Sequence, residues 1–461
     1  MIEELKPYPE YQESGQRWLG NVPAHWDLKR GHAAFKPRQV SNKGLKEKTI
    51  LSLSYGKIKV KPTDKQHGLV PASYGTYQIV EEGNIIIRGT DMQNDHTSLR
   101  IGLSQNRGAI SSAYLCLEVR EGVSPEYGYQ ILNVFDLTKA IYRFGSGLRQ
   151  NLDHGEIKRL PVFMPPPEEQ AAIVRFLDHA NRKIDTFIRA KRKLIGLLNE
   201  QKQTIIHRVV IRGLNSDVPL KPSGVDWLDA IPVHWQVKRA KYLLREVDSR
   251  SKDGNETHLA MSQRLGLVPS DGVRSSLRSE SYAGGKLCEV DDLVLNRLKA
   301  HLGVFAVATQ TGVISPDYSV FRKICPLNIF YFESVLKSSA CRRELKIRAK
   351  GIVEGFWRLY TDDFYDIRLP VPPVDEQDDI IAAIRTSTAE LDAAVRRTED
   401  EIGLMQEYRT RLTADIVTGK LDVRDAANSL PDSTDERTVT GLVADLEYER
   451  PEEPDLEEIY E

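Results

Sequence analysis

The chain has 461 residues, 40% hydrophobic and 28% charged, with a formal net charge of −2. That length and apolar content suit more than one buried core and about three domains or fewer. No apolar run approaches the roughly 20 residues that span a bilayer, and the opening MIEELKPYPEYQES is acidic where a signal peptide is basic and then apolar; this speaks against membrane association and makes the cytoplasm the expected location.

Read along the chain, the first signal is a repeat. Residues 14–30, SGQRWLGNVPAHWDLKR, return at 223–239 as SGVDWLDAIPVHWQVKR, 209 positions on. A spacing that long is domain-sized and not that of a solenoid. His25 and His234 sit beside Trp26 and Trp235 in both copies; no further ligands lie near them in sequence, so a structural role at the junction of domain and helix is expected. The globular stretches, about 27–160 and 236–367, are rich in short β runs bounded by Gly, Asp and Pro. They share landmarks: YQIVEEGNIIIR (77–88) with LCEVDDLVLNR (287–297), and GAISSAY (108–114) with GVISPDY (312–318). A helical stretch follows in each, 127–142 and 327–348, and then a glycine loop, GSGLRQNL from Gly145 or KGIVEGFWRLY from Lys350. Cys116, Cys288, Cys325 and Cys341 form no CxxC pair, so they read as core thiols and neither a zinc site nor a disulfide framework is indicated.

A second echo closes each copy. RLPVFMPPPEEQAAI from Arg159 returns as RLPVPPVDEQDDI from Arg368. The prolines stop the preceding segment, and the acids favour the positive end of a helix. Helical periodicity follows: Ile173, Leu177, Ile184, Ile188, Ile195, Leu198, Ile205 and Val209 fall at spacings of 3, 4 and 7. The second copy gives Ile380, Ile384, Leu391, Val395, Ile402, Met405, Leu412 and Ile416. Each helix should run about 39 residues, or about 58 Å, and end at Gly213 or Gly419. Residues 171–212 hold ten Lys and Arg against three Asp and Glu, whereas 378–419 hold five against nine. Opposite charge and unburied apolar stripes predict that the helices pair with each other, antiparallel. The last segment, 428–461, carries twelve Asp and Glu against two Arg and reads as a solvated, disordered tail, leaving 1–427 at +8.

The PxHW start, the glycine loop with its Arg, the LPxPPxxEQ hinge and the closing VTGK, in that order and duplicated over about 1–427, resemble the specificity subunit of type I restriction-modification systems. The resemblance implies an α+β fold with two β-rich target recognition domains in tandem, separated by two long helices in an antiparallel coiled coil with a pseudo-twofold internal repeat. It divides the chain into a first recognition domain (1–160), a hinge and first long helix (161–214), a second recognition domain (215–367), a hinge and second long helix (368–427) and the acidic tail (428–461). It also implies a chain without catalysis or cofactor of its own that reads one half of a split double-stranded DNA site with each domain. Two methyltransferase subunits and two restriction and translocase subunits would dock around it, and these partners would use S-adenosylmethionine, ATP and Mg.

Base edges are read most often by Arg or Lys to guanine and by Asn or Gln to adenine. Candidates in the first module are Lys57, Lys59, Lys61, Arg88, Arg107, Arg149, Gln150 and Asn151; in the second they are Arg264, Arg274, Arg278, Arg297, Lys299, Arg348, Lys350 and Arg358. Half or more of protein–DNA hydrogen bonds go to the backbone, so each is individually a phosphate contact before it is a base reader. The helix-pair interface should comprise Ile173, Leu177, Ile184, Ile188, Ile195, Leu198 and Ile205 against Ile384, Leu391, Val395, Ile402, Met405, Leu412 and Ile416. Two other readings compete. Asp317 with Glu344 and Lys346 supplies the residue types of a metal-dependent nuclease, although Ala113 stands at the matching place in the first module. A coiled-coil scaffold whose modules bind protein is the third, and salt-insensitive binding would favour it.

Overall fold

The duplicated sequence folds into two copies of one strand order. The computed structural model describes residues 5–16, 19–61, 74–93, 98–144, 151–262, 265–270, 282–353 and 356–431. Two units form, one from Met1–Lys193 with Asp400–Glu461 and the other from Leu194–Glu399. The mixture of short strands and helices is α+β. Among the described residues no helix is long and apolar enough to cross a membrane.

Each module is built on a four-stranded antiparallel sheet. In the first the order is Phe35–Pro37, Leu115–Val119, Ile85–Ile87, Ile101–Leu103; in the second it is Leu244–Val247, Tyr318–Lys323, Leu293–Asn296, Phe305–Val307. Strand side chains alternate between faces, and the sequence has an apolar residue at every step. Ile85 and Ile87 face the helix Pro125–Leu137, whereas Ile86 joins Leu51, Val80, Ile110 and Cys116 on the other face. Leu293 and Leu295 divide from Val294 in the same way. Both faces are therefore buried, which explains why these strands read as continuous apolar runs.

The acidic turn before each inner strand has a matching device. The Asn84 side-chain oxygen accepts the Glu81 N–H at 2.8 Å, and Asp292 Oδ2 accepts the Glu289 N–H at 2.8 Å. The landmark 77–88 holds two short strands, Gln78–Val80 and Ile85–Ile87, and this turn closes between them. The stretch expected helical over 327–348 likewise divides into Ile329–Lys337 and Ser339–Arg348, since Ser338 caps the second helix through Cys341 N–H. Cys116, Cys288 and Cys341 are buried as expected, and burial pushes the Cys116 thiol up to about 12 and the Cys288 thiol up to about 11. Cys325 departs from the core reading: it is only partly buried.

The hinge locks each module to its helix. Glu169 accepts Trp26 Nε1 at 2.9 Å, pairs with His25 Nε2 at 2.8 Å and accepts the Tyr8 hydroxyl. Glu376 repeats this with Trp235 Nε1 at 3.0 Å and His234 Nε2 at 2.8 Å. Gln170 donates to the Pro165 and Gly122 carbonyls, and Gln377 donates to the Pro372 carbonyl; their side-chain oxygens accept the Ser124 and Asn328 N–H groups. The PxHW and EQ motifs are thus two halves of one junction, and the histidines have the structural role their sequence context indicated.

The long helices are Pro167–Arg212, 46 residues, and Val374–Val417, 44 residues. Both start earlier than the apolar stripe: the first begins at Pro167, which fits the first turn because its missing N–H has no helical partner there, and the second begins at Val374, directly after Pro373. They end where glycine takes positive φ, Gly213 at +75° and Gly419 at +77°. At Gly419 a side chain is also excluded by space, since a Cβ would lie 2.3 Å from Pro23 Cδ.

Within the first unit Arg409 pairs with Asp185, and Lys191 with Glu401 at 2.5 Å; within the second, Lys202 pairs with Asp392 at 2.6 Å. Residue numbers on the two helices run in opposite directions in the first unit's pairs, as an antiparallel arrangement there requires. Such exposed pairs stabilise by only about 0–1 kcal/mol each, so they select the partner more than they hold it. Burial along the expected interface is uneven. Ile173, Leu177, Ile184, Ile188, Ile384, Leu412 and Ile416 are buried, while Ile195, Leu198, Ile205, Leu391, Val395, Ile402 and Met405 are only half-buried.

Candidate nucleic-acid interface

In the second module the inner strand Leu293–Asn296 runs directly into Arg297. Arg297 Nε donates to the Asp317 carbonyl at 2.9 Å, and Arg358 Nη2 reaches Asp317 Oδ1 at 3.4 Å. Arg358 belongs to a hairpin of Lys350–Val353 with Phe356–Arg358, in which Lys350 stands opposite it. The hairpin's end is tied to the sheet by the Leu359 N–H donating to the Arg297 carbonyl at 3.0 Å. Lys350 pairs with Asp363 at 2.9 Å, and that hydrogen bond and attraction raise its pKa. Lys299 is exposed at the start of the turn Ala300–Leu302. The fold therefore brings Arg297, Arg358 and Asp317 together, with Lys350 across the hairpin.

Arg348 is held differently, by Glu344 one helical turn back at 2.7 Å. The exposed Trp357 beside Arg358 was not singled out from sequence; its place in the glycine loop next to an Arg was the available signal. Arg264, Arg274 and Arg278 lie outside the described residues.

In the first module Leu51–Ser54 and Lys57–Val60 form a hairpin whose turn residues Tyr55 and Gly56 have φ of +46° and +74°. Positive φ at both positions is the turn that matches strand twist in a two-residue hairpin. Alternation turns Lys57, Lys59 and Lys61 to one exposed side, and Ile58 packs against the inner cluster. Arg88 follows the inner strand as Arg297 does, and its N–H donates to the Arg100 carbonyl at 2.8 Å. The Leu152 N–H donates to the Gly89 carbonyl at 2.8 Å, which brings the end of the glycine loop to this strand as in the second module. Asn151 accepts the Asp91 N–H at 3.1 Å. Arg107 is bound by Glu47 at 3.1 Å and Glu81 at 2.9 Å, so its first task is to hold that corner. Arg149 and Gln150 lie outside the described residues.

The arrangement offers cations and amides on loops carried by a rigid sheet, which suits phosphate and base-edge contacts. It offers little to metal chemistry. Asp317 is engaged by Arg358 and Glu344 by Arg348, and among the described residues no group of three or more His, Cys, Asp or Glu side chains is placed to hold an ion.

No protein-family model matches the chain. A curated protein of Methanocaldococcus jannaschii, the type I restriction enzyme MjaX specificity subunit, is 22% identical over 291 residues, covering 60% of this chain and 63% of that protein. The chain thus spans less than two thirds of the length of the curated relative it matches. A solved chain from work on complex assembly and conformational transition of the type I R-M system matches with a TM-score of 0.57 at 15% identity, covering 87% of this chain and 99% of that one. The HsdS subunit from Thermoanaerobacter tengcongensis gives 0.37 at 16% identity, covering 87% and 98%. By sequence the chain is similar to a type I restriction enzyme specificity subunit, and by fold to a solved chain of a type I restriction-modification system.

Proposed function

We propose that this chain is the non-catalytic DNA-recognition subunit of a type I restriction-modification enzyme, acting in the cytoplasm. Its two modules, bounded at about 1–160 and 215–367, each read one half of a bipartite double-stranded site. The long helices, at 161–214 and 368–427 with their hinges, pair as an antiparallel coiled coil that fixes the number of unread base pairs and docks two methyltransferase subunits. Two restriction and translocase subunits complete the assembly. S-adenosylmethionine, ATP and Mg belong to those partners, and this chain needs no cofactor.

The observation that carries this reading is identical strand order in both modules combined with different basic loops. Lys57, Lys59 and Lys61 line a strand in one module, and Arg297 and Arg358 gather around Asp317 in the other. One scaffold with two loop sets suits two different half-sites. Arg88 and Arg297, which occupy the same point of both modules, serve backbone positioning; Asn151, Arg358, Arg149, Gln150, Arg264, Arg274 and Arg278 are the base-reading candidates, and Lys299, Lys350 and Arg348 are phosphate contacts. The half-buried residues midway along the helices, such as Leu198 and Val395, leave apolar surface for methyltransferase helices to cover.

A salt titration of duplex binding, with the methyltransferase present, tests this reading. Affinity should fall steeply with salt as counterions are released. Binding that ignores salt would return the chain to a protein scaffold.

A further inference from the structure

Both modules carry the same hairpin on the same anchor. In the first, Leu51 lies so close to the glycine that opens GAISSAY that a Cβ on Gly108 would come 2.5 Å from Leu51 Cγ; in the second, a Cβ on Gly312, which opens GVISPDY, would come 2.7 Å from Leu259 Cγ. Leu53 and Ile58 pack on the first module's inner cluster, as Met261 and Leu267 do on the second's. The outward sides are unlike. Ser54 stands opposite Lys57 and Ser52 opposite Lys59 in the first hairpin, whereas Ser262 stands opposite Gly266 and Ala260 opposite Val268 in the second. Two residues join the strands in the first and three in the second.

The two-residue turn is Tyr55-Gly56, and it breaks a local rule. Its first position, at φ +46°, is one that Asn takes readily and a bulky aromatic does not. Packing does not explain the tyrosine. Gly56 lies against the module, where a Cβ would come 3.1 Å from Leu99 Cβ, but Tyr55 is 65% exposed and, among the described residues, belongs to none of the apolar clusters. A strained position without a packing reason points to function. The surroundings say which, because Lys57 and Lys59 stand exposed beside it on a hairpin held rigidly from behind. A two-stranded ribbon fits the major groove, which is about 12 Å wide, and a phenol can both donate to and accept from a base edge.

We propose that this hairpin enters the major groove as a ribbon, with the Tyr55 hydroxyl reading one base edge of the first module's half-site and Lys57 and Lys59 gripping the flanking phosphates. Tyr55 is then a specificity-determining residue, and the hairpin is a part of the shared scaffold that distinguishes the two half-sites. This inference rests on the DNA-reading function proposed above.

Parent, Tyr55→Asn and Tyr55→Phe chains, each with the methyltransferase present, can select bound duplexes from a random-sequence pool. Asn suits the left-handed backbone, so Tyr55→Asn should melt at the parent's temperature or above it. Base preference at one position of one half-site should nonetheless fall about fivefold or more, the worth of one hydrogen bond, with the other half and the spacer unchanged. Tyr55→Phe, which lacks only the hydroxyl, should relax the same position. An unchanged motif in both variants would overturn the proposal. So would weaker binding spread evenly over all sequences, which assigns Tyr55 to the DNA backbone, or a lower melting temperature for Tyr55→Asn, which assigns it to the fold. A parent that selects no motif at all overturns the DNA-reading function, and this inference with it.

Discussion

Removing the hinge carboxylate should harm the two copies unequally. Glu169 is 4% exposed and its partners include two buried donors, Trp26 Nε1 and the Tyr8 hydroxyl. Glu169→Ala strands both. At about 1–3 kcal/mol for each buried group left without a partner, the loss should be about 2–6 kcal/mol. Glu376 is 26% exposed and holds one buried donor, Trp235 Nε1, beside the half-exposed His234. Glu376→Ala should cost about 1–3 kcal/mol. Glu169→Gln keeps one acceptor oxygen and should fall between parent and Glu169→Ala. Denaturant unfolding followed by tryptophan fluorescence measures this, with the slope monitored so that a change in midpoint is read as stability. Equal losses, or a larger loss at Glu376, would refute the reasoning that the carboxylate's buried donors set its weight.

Three further outcomes follow from the same geometry. Gly419→Ala places a Cβ 2.3 Å from Pro23 Cδ at φ +77°, whereas Gly403 has nothing within 4 Å in the second long helix; calorimetry should show a loss of about 1 kcal/mol or more for the first and a gain of about 0.5–1 kcal/mol for Gly403→Ala. Replacing Lys57, Lys59 and Lys61 together by Ala should weaken all duplexes alike and lower the slope of log affinity against log salt by about 2–3. The Glu118 carboxyl is held below its usual range first by the Lys36 hydrogen bond, with burial opposing and Arg38 assisting. A depressed carboxylate stabilises the fold above its unfolded pKa and loses that contribution as pH falls through the folded value. Glu118→Gln should therefore be less stable than the parent at neutral pH and converge with it in acid, and a pH-independent difference would contradict this.

Much of the architecture could be read from residues because it is local. Prolines before Glu and Gln mark the helix starts, Gly213 and Gly419 mark the ends, and the apolar spacing marks the inner face. The PxHW and EQ motifs were visible as separate repeats, yet their direct pairing was not, since Trp26 and Glu169 meet only through the fold, 143 positions apart. Site residues were legible as types and not as partners. Arg107 reads as a free cation in sequence but is engaged by Glu47 and Glu81, and Asp317 reads as a metal ligand but lies between Arg297 and Arg358. Half-burial of the midhelix stripe also escaped periodicity, which reports which side is apolar and not how far it is covered.

Single-molecule methylome sequencing of cells with and without this chain tests the central claim most directly. The account predicts a split adenine-methylated motif, with a fixed run of unread base pairs between unlike halves, that disappears when the chain is absent. An unchanged methylome in cells where the methyltransferase partner is active, or loss of an unsplit motif, would contradict it.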